Sequence, residues 1–520
     1  MPSKSKYASD YITAQELNRR INEQNQALVI YAKKVYRLDK WLKFHPGGEL
    51  AIRHMIGKDA TDAINAFHPD YVKTKNIHTF YIGEYVDEDV HIPSANTDSV
   101  KTLTLNKKGN PDNTPVNNIT KPILSAISSS ITSPSTPSTT ISSASQSTQP
   151  SDAKLDLIHQ ARITKAYREL DARIRSKGLY KTHYINYVYE MIRFGTLFAL
   201  AWYFALTGTS TLHFLTSAVC LGAFWHQIAF TAHDAGHNGI THSLPVDGFI
   251  GVMTADLCGG LSMGWWKKSH YVHHLVTNEI EHDPDLQQLP FFAVSINFVK
   301  SIYSSYYERI LHFDRAAAFF VQFQHFLYYP VLAFGRFNLY FLSISHIINE
   351  ERVAFRKLEL FSMGLYWMWF SYLLSHIPYS LIIPYILISH MITVLLHIQI
   401  TLSHYGMSTE ELGPKEAFAA KMLRTSMDVD CPKWLDWLHG GLQFQTIHHL
   451  FPRVPRHNLR ECQQYVREFC KEVGIEYHCY GFVKSNGIVL DALKDVANQV
   501  SLMNKVAKGI AEKELRHVSG

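Results

Sequence analysis

Two stretches of the chain run without Asp, Glu, Lys or Arg for longer than one bilayer crossing requires: the forty residues between Arg193 and Asp234, and the segment from Phe361 to Thr409. At ~1.5 Å per helical residue, each exceeds the ~20 residues that span a hydrocarbon core. The turn-forming Thr207-Gly208-Thr209-Ser210 divides the first stretch, and Pro378 and Pro384 break the second. The pattern therefore predicts four membrane helices, at about 188–207, 211–232, 361–378 and 382–403. Four crossings return the chain to the side it left. Two lesser apolar stretches, 245–266 and 316–335, contain Asp247 and Asp256, or Gln322, Gln324 and His325. These read as helices at the interface or around an internal cavity; a six-crossing arrangement is the alternative.

Ahead of the apolar region the pattern changes twice. From Ala27 to Asp39, apolar and polar residues follow a strand and hairpin pattern. Next come Trp41-Leu-Lys-Phe44, then His45-Pro46-Gly47-Gly48, a helix-rich stretch to His68-Pro69, and a closing Thr79-Phe80-Tyr81-Ile82-Gly83-Glu84-Tyr85. A first domain is expected over 10–90. Residues 94–152 are dominated by Ser, Thr, Pro and Asn. They cannot bury enough apolar surface to offset their ordering entropy, so a flexible tether is expected. The membrane domain should occupy 153–487, opening with a charged helix from Lys154 to Tyr180. The tail 488–520, rich in Lys and Glu, reads as a solvated helix.

Charge and cysteine content narrow the classes. The net charge of +5 is not gathered into a basic stripe interleaved with aromatics, which argues against nucleic acid and leaves attraction to anionic lipid as its better use. Six cysteines are scattered with no C-x-x-C pair, so neither a zinc ribbon nor a disulfide framework is expected and a reducing compartment is. The first forty residues are polar, with no apolar core of a signal peptide, so the N-terminus is expected to stay cytosolic.

Histidine placement carries the chemistry. His270, His273 and His274 share one helical face at i, i+3 and i+4; His233 and His237 lie one turn apart; His448 and His449 follow Gln445 by three and four residues. Such clusters beside apolar runs suit a metal better than a core. Together with His404, just past the fourth expected span, they are too many for one ion, so two metals are the economical count. Zinc has no redox chemistry; two irons could be reduced and use O2 on an unactivated C–H bond. His226 and His242 lack ligand spacing and read as packing residues. Carboxylates at Asp283 and Asp285, with His282, either orient ligand imidazoles or are solvated. Trp265 and Trp266 either wall a lipid tunnel or form an interfacial belt.

The segment around His45-Pro46-Gly47-Gly48 resembles a cytochrome b5 domain. That resemblance implies haem b held axially by His45 and His68, His54 and His78 being the rivals for the second position, and an iron that carries electrons because both faces are occupied. The order His-x3-His, His-x2-His-His, Gln-x2-His-His behind such a domain resembles a membrane front-end desaturase, and segments such as His233–His242 and His439–Asn458 resemble fungal delta-8 sphingolipid desaturases. The resemblance implies an α+β haem domain joined by a disordered linker to an all-α membrane domain with a cytosolic histidine cap. It makes His233, His237, His270, His273, His274, His448 and His449 iron ligands, with His404 a further one and Gln445 at a ligand position or just behind it. It implies a multi-pass endoplasmic reticulum enzyme whose N-terminus, boxes and C-terminus are cytosolic. The enzyme would place a trans C8–C9 double bond in the long-chain base of ceramides, with O2 and with electrons passed from NADH by a separate cytochrome b5 reductase. A delta-6-type fatty acyl desaturase and a lipid hydroxylase share the scaffold. A non-enzymatic membrane haem protein or a histidine-rich metal carrier would not need both a donor domain and Gln445 three residues before His448.

Overall fold

The computed structural model describes residues 11–86 and 155–518, so the expected linker, 94–152, lies outside the described residues. In the first domain, strands β1 (Tyr11–Thr13), β2 (Leu28–Tyr31), β3 (Lys34–Arg37) and β4 (Tyr81–Val86) form one sheet in the order β1-β4-β3-β2. β2 and β3 are the expected hairpin. Ala32 and Lys33 at its tip both have positive φ, the backbone that a tight two-residue hairpin requires. Alternation along the strands splits the core: Leu28, Ile30 and Val35 pack with Ile12, Leu17 and Ile21 on one side, and Val29 and Tyr36 with Leu38, Ile52 and Ala60 on the other. The helices Glu49–Arg53 and Thr61–Phe67 frame that second side.

The membrane body is helical. Tyr184–Thr207 and Thr211–Gly236 form a hairpin hinged at the expected Gly208 turn, and Ile382–Met391 packs along the second of them. Two helices, Thr211–Gly236 and Tyr379–Leu402, are long and apolar enough to cross a membrane by themselves, and a pair bent by 63°, Gln324–Ala333 with Gly335–Asn349, would make a third. The other two expected spans are helices of the right length but lower apolarity. Tyr184–Thr207 begins earlier than expected and carries Glu190 and Arg193, while Arg356–Ser375 is rich in Tyr, Trp and Ser. The stretch expected near 316–335 is part of the bent pair, with Pro330 inside its first helix and Gly335 opening the second. Pro removes a backbone donor and Gly lacks helical preference, which places the bend there.

Over this body lies a cap in which Leu157–Ser176, Phe418–Thr425 and Leu459–Val473 share a core built on Ile163, Tyr167, Met422, Phe451 and Val466. The C-terminal helix, Phe482–Val518, is not solvated throughout: Val489, Leu493, Val496 and Val500 are buried against the core that contains Tyr328 and Leu402. Their heptad-like spacing lays one apolar stripe along an otherwise charged helix.

Candidate metal centres

In the first domain the short turn Leu42–Phe44 delivers His45, and helix Thr61–Phe67 ends on His68. Each ring is aimed by its own backbone: Gly48 O lies 3.0 Å from His45 Nδ1, and Ile64 O 3.3 Å from His68 Nδ1. The Nε2 atoms are thereby turned toward each other, 3.5 Å apart, close to the span of two metal–nitrogen bonds of roughly 2 Å. A Cβ on Gly47 would stand 2.9 Å from the His45 ring, so glycine is needed there to let the ring turn inward. Burial holds both imidazoles below the ordinary histidine range, His68 at about 3. Both are therefore neutral, the form that binds metal. His54 faces His282 instead, with ring centroids 4.9 Å apart, and His78 is exposed.

In the membrane domain the three boxes and His404 converge. Ligand-capable nitrogens of His233, His237, His270 and His448 lie within 4.8 Å of one another, and so do those of His273, His404 and His449. His274 sits between the groups, 4.5 Å from the His270 ring and 4.1 Å from that of His449. Burial, then the neighbouring imidazoles, holds His237, His270, His274, His448 and His449 well below their ordinary values, and burial beside His273 brings His404 to about 3. Four ring nitrogens, His233 Nε2, His237 Nδ1, His274 Nδ1 and His449 Nε2, are buried with no hydrogen-bond partner. Buried, orphaned ring nitrogens packed this closely are costly as a core and suit bound cations.

The rings are held from outside. Asp283 is fully buried and accepts from His273 Nδ1 at 2.9 Å and from the backbone of Asn278 at 2.8 Å. Burial alone would lower His273, but Asp283 and Asp285 beside it push it up to about 9. Independently of protonation, the contact of Asp283 with Nδ1 orients the ring and leaves Nε2 on the side of the cluster. Thr425 O holds His404 Nδ1 at 3.1 Å, and Thr277 Oγ1 lies 3.3 Å from His449 Nδ1. Beneath His233, Asp234 is tied to Tyr187 and Arg456, and Arg456 also pairs with Glu190. Gln445 lines a small cavity with His233, Asp234, His448 and Arg456. Trp266 stacks on His270 with 4.3 Å between centroids, so this indole walls the cluster. His226 and His242 stay outside both groups, and the His242 ring nitrogens contact Asn238 O and Tyr180 O. Sequence reasoning missed Glu190, Arg456, Thr277 and Thr425. A buried cation three residues after Arg453 had no local signature, and Thr425 acts through its carbonyl, which no side-chain pattern reports.

The two sites adjoin. Phe67, the residue before His68, sets its ring edge against His274 at 5.7 Å and also touches Tyr271 and Phe418. Arg168 donates to Asp62 at 2.7 Å, and Arg453 donates to His68 O at 2.7 Å.

Comparison with known proteins agrees with this division. Residues 13–86 match the cytochrome b5-like heme/steroid binding domain and residues 209–481 the fatty acid desaturase family. A Delta 8-(E)-sphingolipid desaturase of Emericella nidulans is 43% identical, over 93% of this chain and 94% of its own. One of Komagataella phaffii is also 43% identical, over 95% of both chains. A Delta(8)-fatty-acid desaturase of Helianthus annuus is 31% identical, over 96% of this chain and 94% of its own. The first domain thus implies haem and the second iron, and the histidine sets fit both. The chain is an oxidoreductase of the fatty acid desaturase family, with a cytochrome b5-like domain ahead of its membrane-embedded body.

Proposed function

We propose that this enzyme is a delta-8 sphingolipid desaturase that introduces a trans double bond between C8 and C9 of the long-chain base of ceramides. The observation that carries the oxidative chemistry is the convergence of eight imidazoles from four segments beside a second, facing pair of histidines. The substrate follows the fungal relatives, which are Delta 8-(E)-sphingolipid desaturases 43% identical over nearly the whole chain. His233, His237, His270 and His448 would hold one iron and His273, His404 and His449 the other, with His274 positioned to serve either; Gln445 stands behind His233 and His448. When bound, the irons supply O2 activation: two hydrogens leave adjacent carbons and O2 takes them up, with two electrons and two protons, as two waters.

The chain's own residues have three tasks. Asp283, Thr277 and Thr425 O keep the ring nitrogens aimed inward, so that the cluster does not reorganise during turnover. Trp266 and the surrounding apolar body exclude water and hold the alkyl chain in register, because a slip of one methylene would change the product. His45 and His68 hold haem b in the domain that receives electrons, one at a time, from NADH through a separate reductase. The four long helices are assigned as spans: their aromatic and charged ends suit interfaces, and the arrangement keeps both histidine sites on the cytosolic face of the endoplasmic reticulum membrane.

The test is expression in a host that makes only saturated sphingoid bases, followed by mass spectrometry of long-chain bases and fatty acids separately. The reading predicts a delta-8 unsaturated base and unchanged fatty acids. Unsaturated fatty acids with unchanged bases would overturn the substrate and favour the acyl alternative, while a hydroxylated base would overturn the desaturation outcome.

A further inference from the structure

Two arginines follow the third histidine box three residues apart, and both are buried, Arg453 to 5% and Arg456 to 8% exposure. Arg456 is balanced by Glu190 and Asp234. Arg453 is not: among the described residues no carboxylate pairs with it. Its Nη1 donates to His68 O, its Nε is buried with no hydrogen-bond partner, and its guanidinium lies 6.0 Å from the Tyr180 ring centroid. Other cations along the boundary with the first domain have their acids: Arg168 has Asp62, Arg175 has Asp171 and Asp70, Lys268 has Glu350, and Lys43 has Glu351. Asp70 acts on it only from beyond contact distance, and a buried guanidinium with no carboxylate in contact and a vacant donor is an expensive group to bury; the fork of an arginine matches a carboxylate best.

The anion this neighbourhood lacks is one that a porphyrin brings. Haem b carries two propionates as its only anionic groups, and Arg453 already touches the backbone of His68, an expected axial ligand. We propose that Arg453 receives a haem propionate, so that the desaturase body completes the haem site of the N-terminal domain and binds that domain most firmly when haem is in place. This rests on the assignment of haem to His45 and His68. Arg453 acts here as a positioning residue, at the point where the two domains meet beside Phe67 and His274. Its charge also favours the ferrous haem, which carries one positive charge fewer than the ferric form.

The experiment uses the full chain in lipid nanodiscs, as wild type, Arg453→Gln and Arg453→Lys, each loaded with haem b or with haem dimethyl ester, whose propionates are uncharged. Two readouts are taken: the midpoint potential by spectroelectrochemistry and the rate of haem loss to apomyoglobin. With haem b, Arg453→Gln should lower the midpoint and speed haem loss and Arg453→Lys should do so less; with the ester the haem-loss rates of all three chains should coincide and the midpoint difference should shrink to the direct effect of the lost charge. Equal values for wild type and Arg453→Gln with haem b would overturn the proposal, as would a difference that persists unchanged with the ester. Should the glutamine chain fail to fold, the lysine chain is compared with wild type in the same way. A His68→Ala chain that keeps the wild-type haem spectrum would overturn the ligand assignment instead, so the two failures are distinguishable.

Discussion

The histidine pair of the cytochrome b5-like domain and the polyhistidine cluster of the membrane domain use the same side chain in opposite ways. His45 and His68 lie within one small domain and are aimed by carbonyls three and four residues away in sequence, Gly48 O and Ile64 O. The eight membrane-domain histidines come from four segments, and three of them, His273, His404 and His449, are aimed by partners ten or more residues away in sequence. A site aimed by local backbone tolerates change elsewhere in the chain; one aimed by tertiary contacts depends on the packing of the whole body. Substitutions around the second site should therefore do more damage at greater sequence distance than any around the first.

The largest expected effects separate the sites by their losses. His273→Ala should abolish desaturation while leaving the haem spectrum intact. His45→Ala should abolish the haem spectrum, and with it activity unless free cytochrome b5 is supplied. Visible absorbance and product analysis on the same preparations check both, and a His273→Ala chain with wild-type turnover would break the distinction.

Next in size is Arg456→Leu, which strands Glu190 and Asp234 in the interior. The cost of breaking a buried pair is about 3–5 kcal/mol, so the thermal midpoint of the membrane domain should fall clearly while haem absorbance per folded chain is kept. An unchanged midpoint would mean that this buried network does not stabilise the membrane domain.

Asp283→Asn keeps the shape and removes the charge behind His273. A partner of this kind is worth about 10- to 100-fold in metal affinity or activity. Metal content and turnover should both fall within that range, with no change in haem potential. Phe67→Leu, which removes the ring between His68 and His274, should slow reoxidation of reduced haem in stopped-flow while leaving both metal contents unchanged. The smallest effect is expected from His282→Ala, because this ring, which packs against His54 and contacts Ser305 Oγ at 2.9 Å, belongs to neither centre. Turnover should stay within about twofold of wild type, as for a substitution away from the named sites.

The same contrast explains what could be read from the sequence. His45-Pro46-Gly47-Gly48 announces its site because the glycines and the histidine that need each other are adjacent, and the expected hairpin at Ala32-Lys33 is equally local. The boxes are legible as clusters by helical spacing, and His404, just past an expected span, converges with them. Their supports are less legible: an acid at Asp283 fits solvation as well as it fits orienting a ring, and Glu190 and Arg456 meet across 266 residues. Membrane helices were legible by length and only partly by apolarity. Glu190 and Arg193 lower the apolarity of Tyr184–Thr207, and the tyrosines and tryptophans of Arg356–Ser375 do the same for that helix. In Phe482–Val518 the alternating Lys and Glu hid a stripe of four buried aliphatic residues.

The central claim is that imidazoles hold two irons beside a haem in one chain. Metal analysis of the purified full chain, combined with Mössbauer spectroscopy after growth on 57Fe, tests it most directly. The account predicts one haem iron and two coupled non-haem irons per chain, the latter lost in His273→Ala and the former in His45→Ala. Zinc in place of the non-haem iron, or a single uncoupled iron, would contradict it.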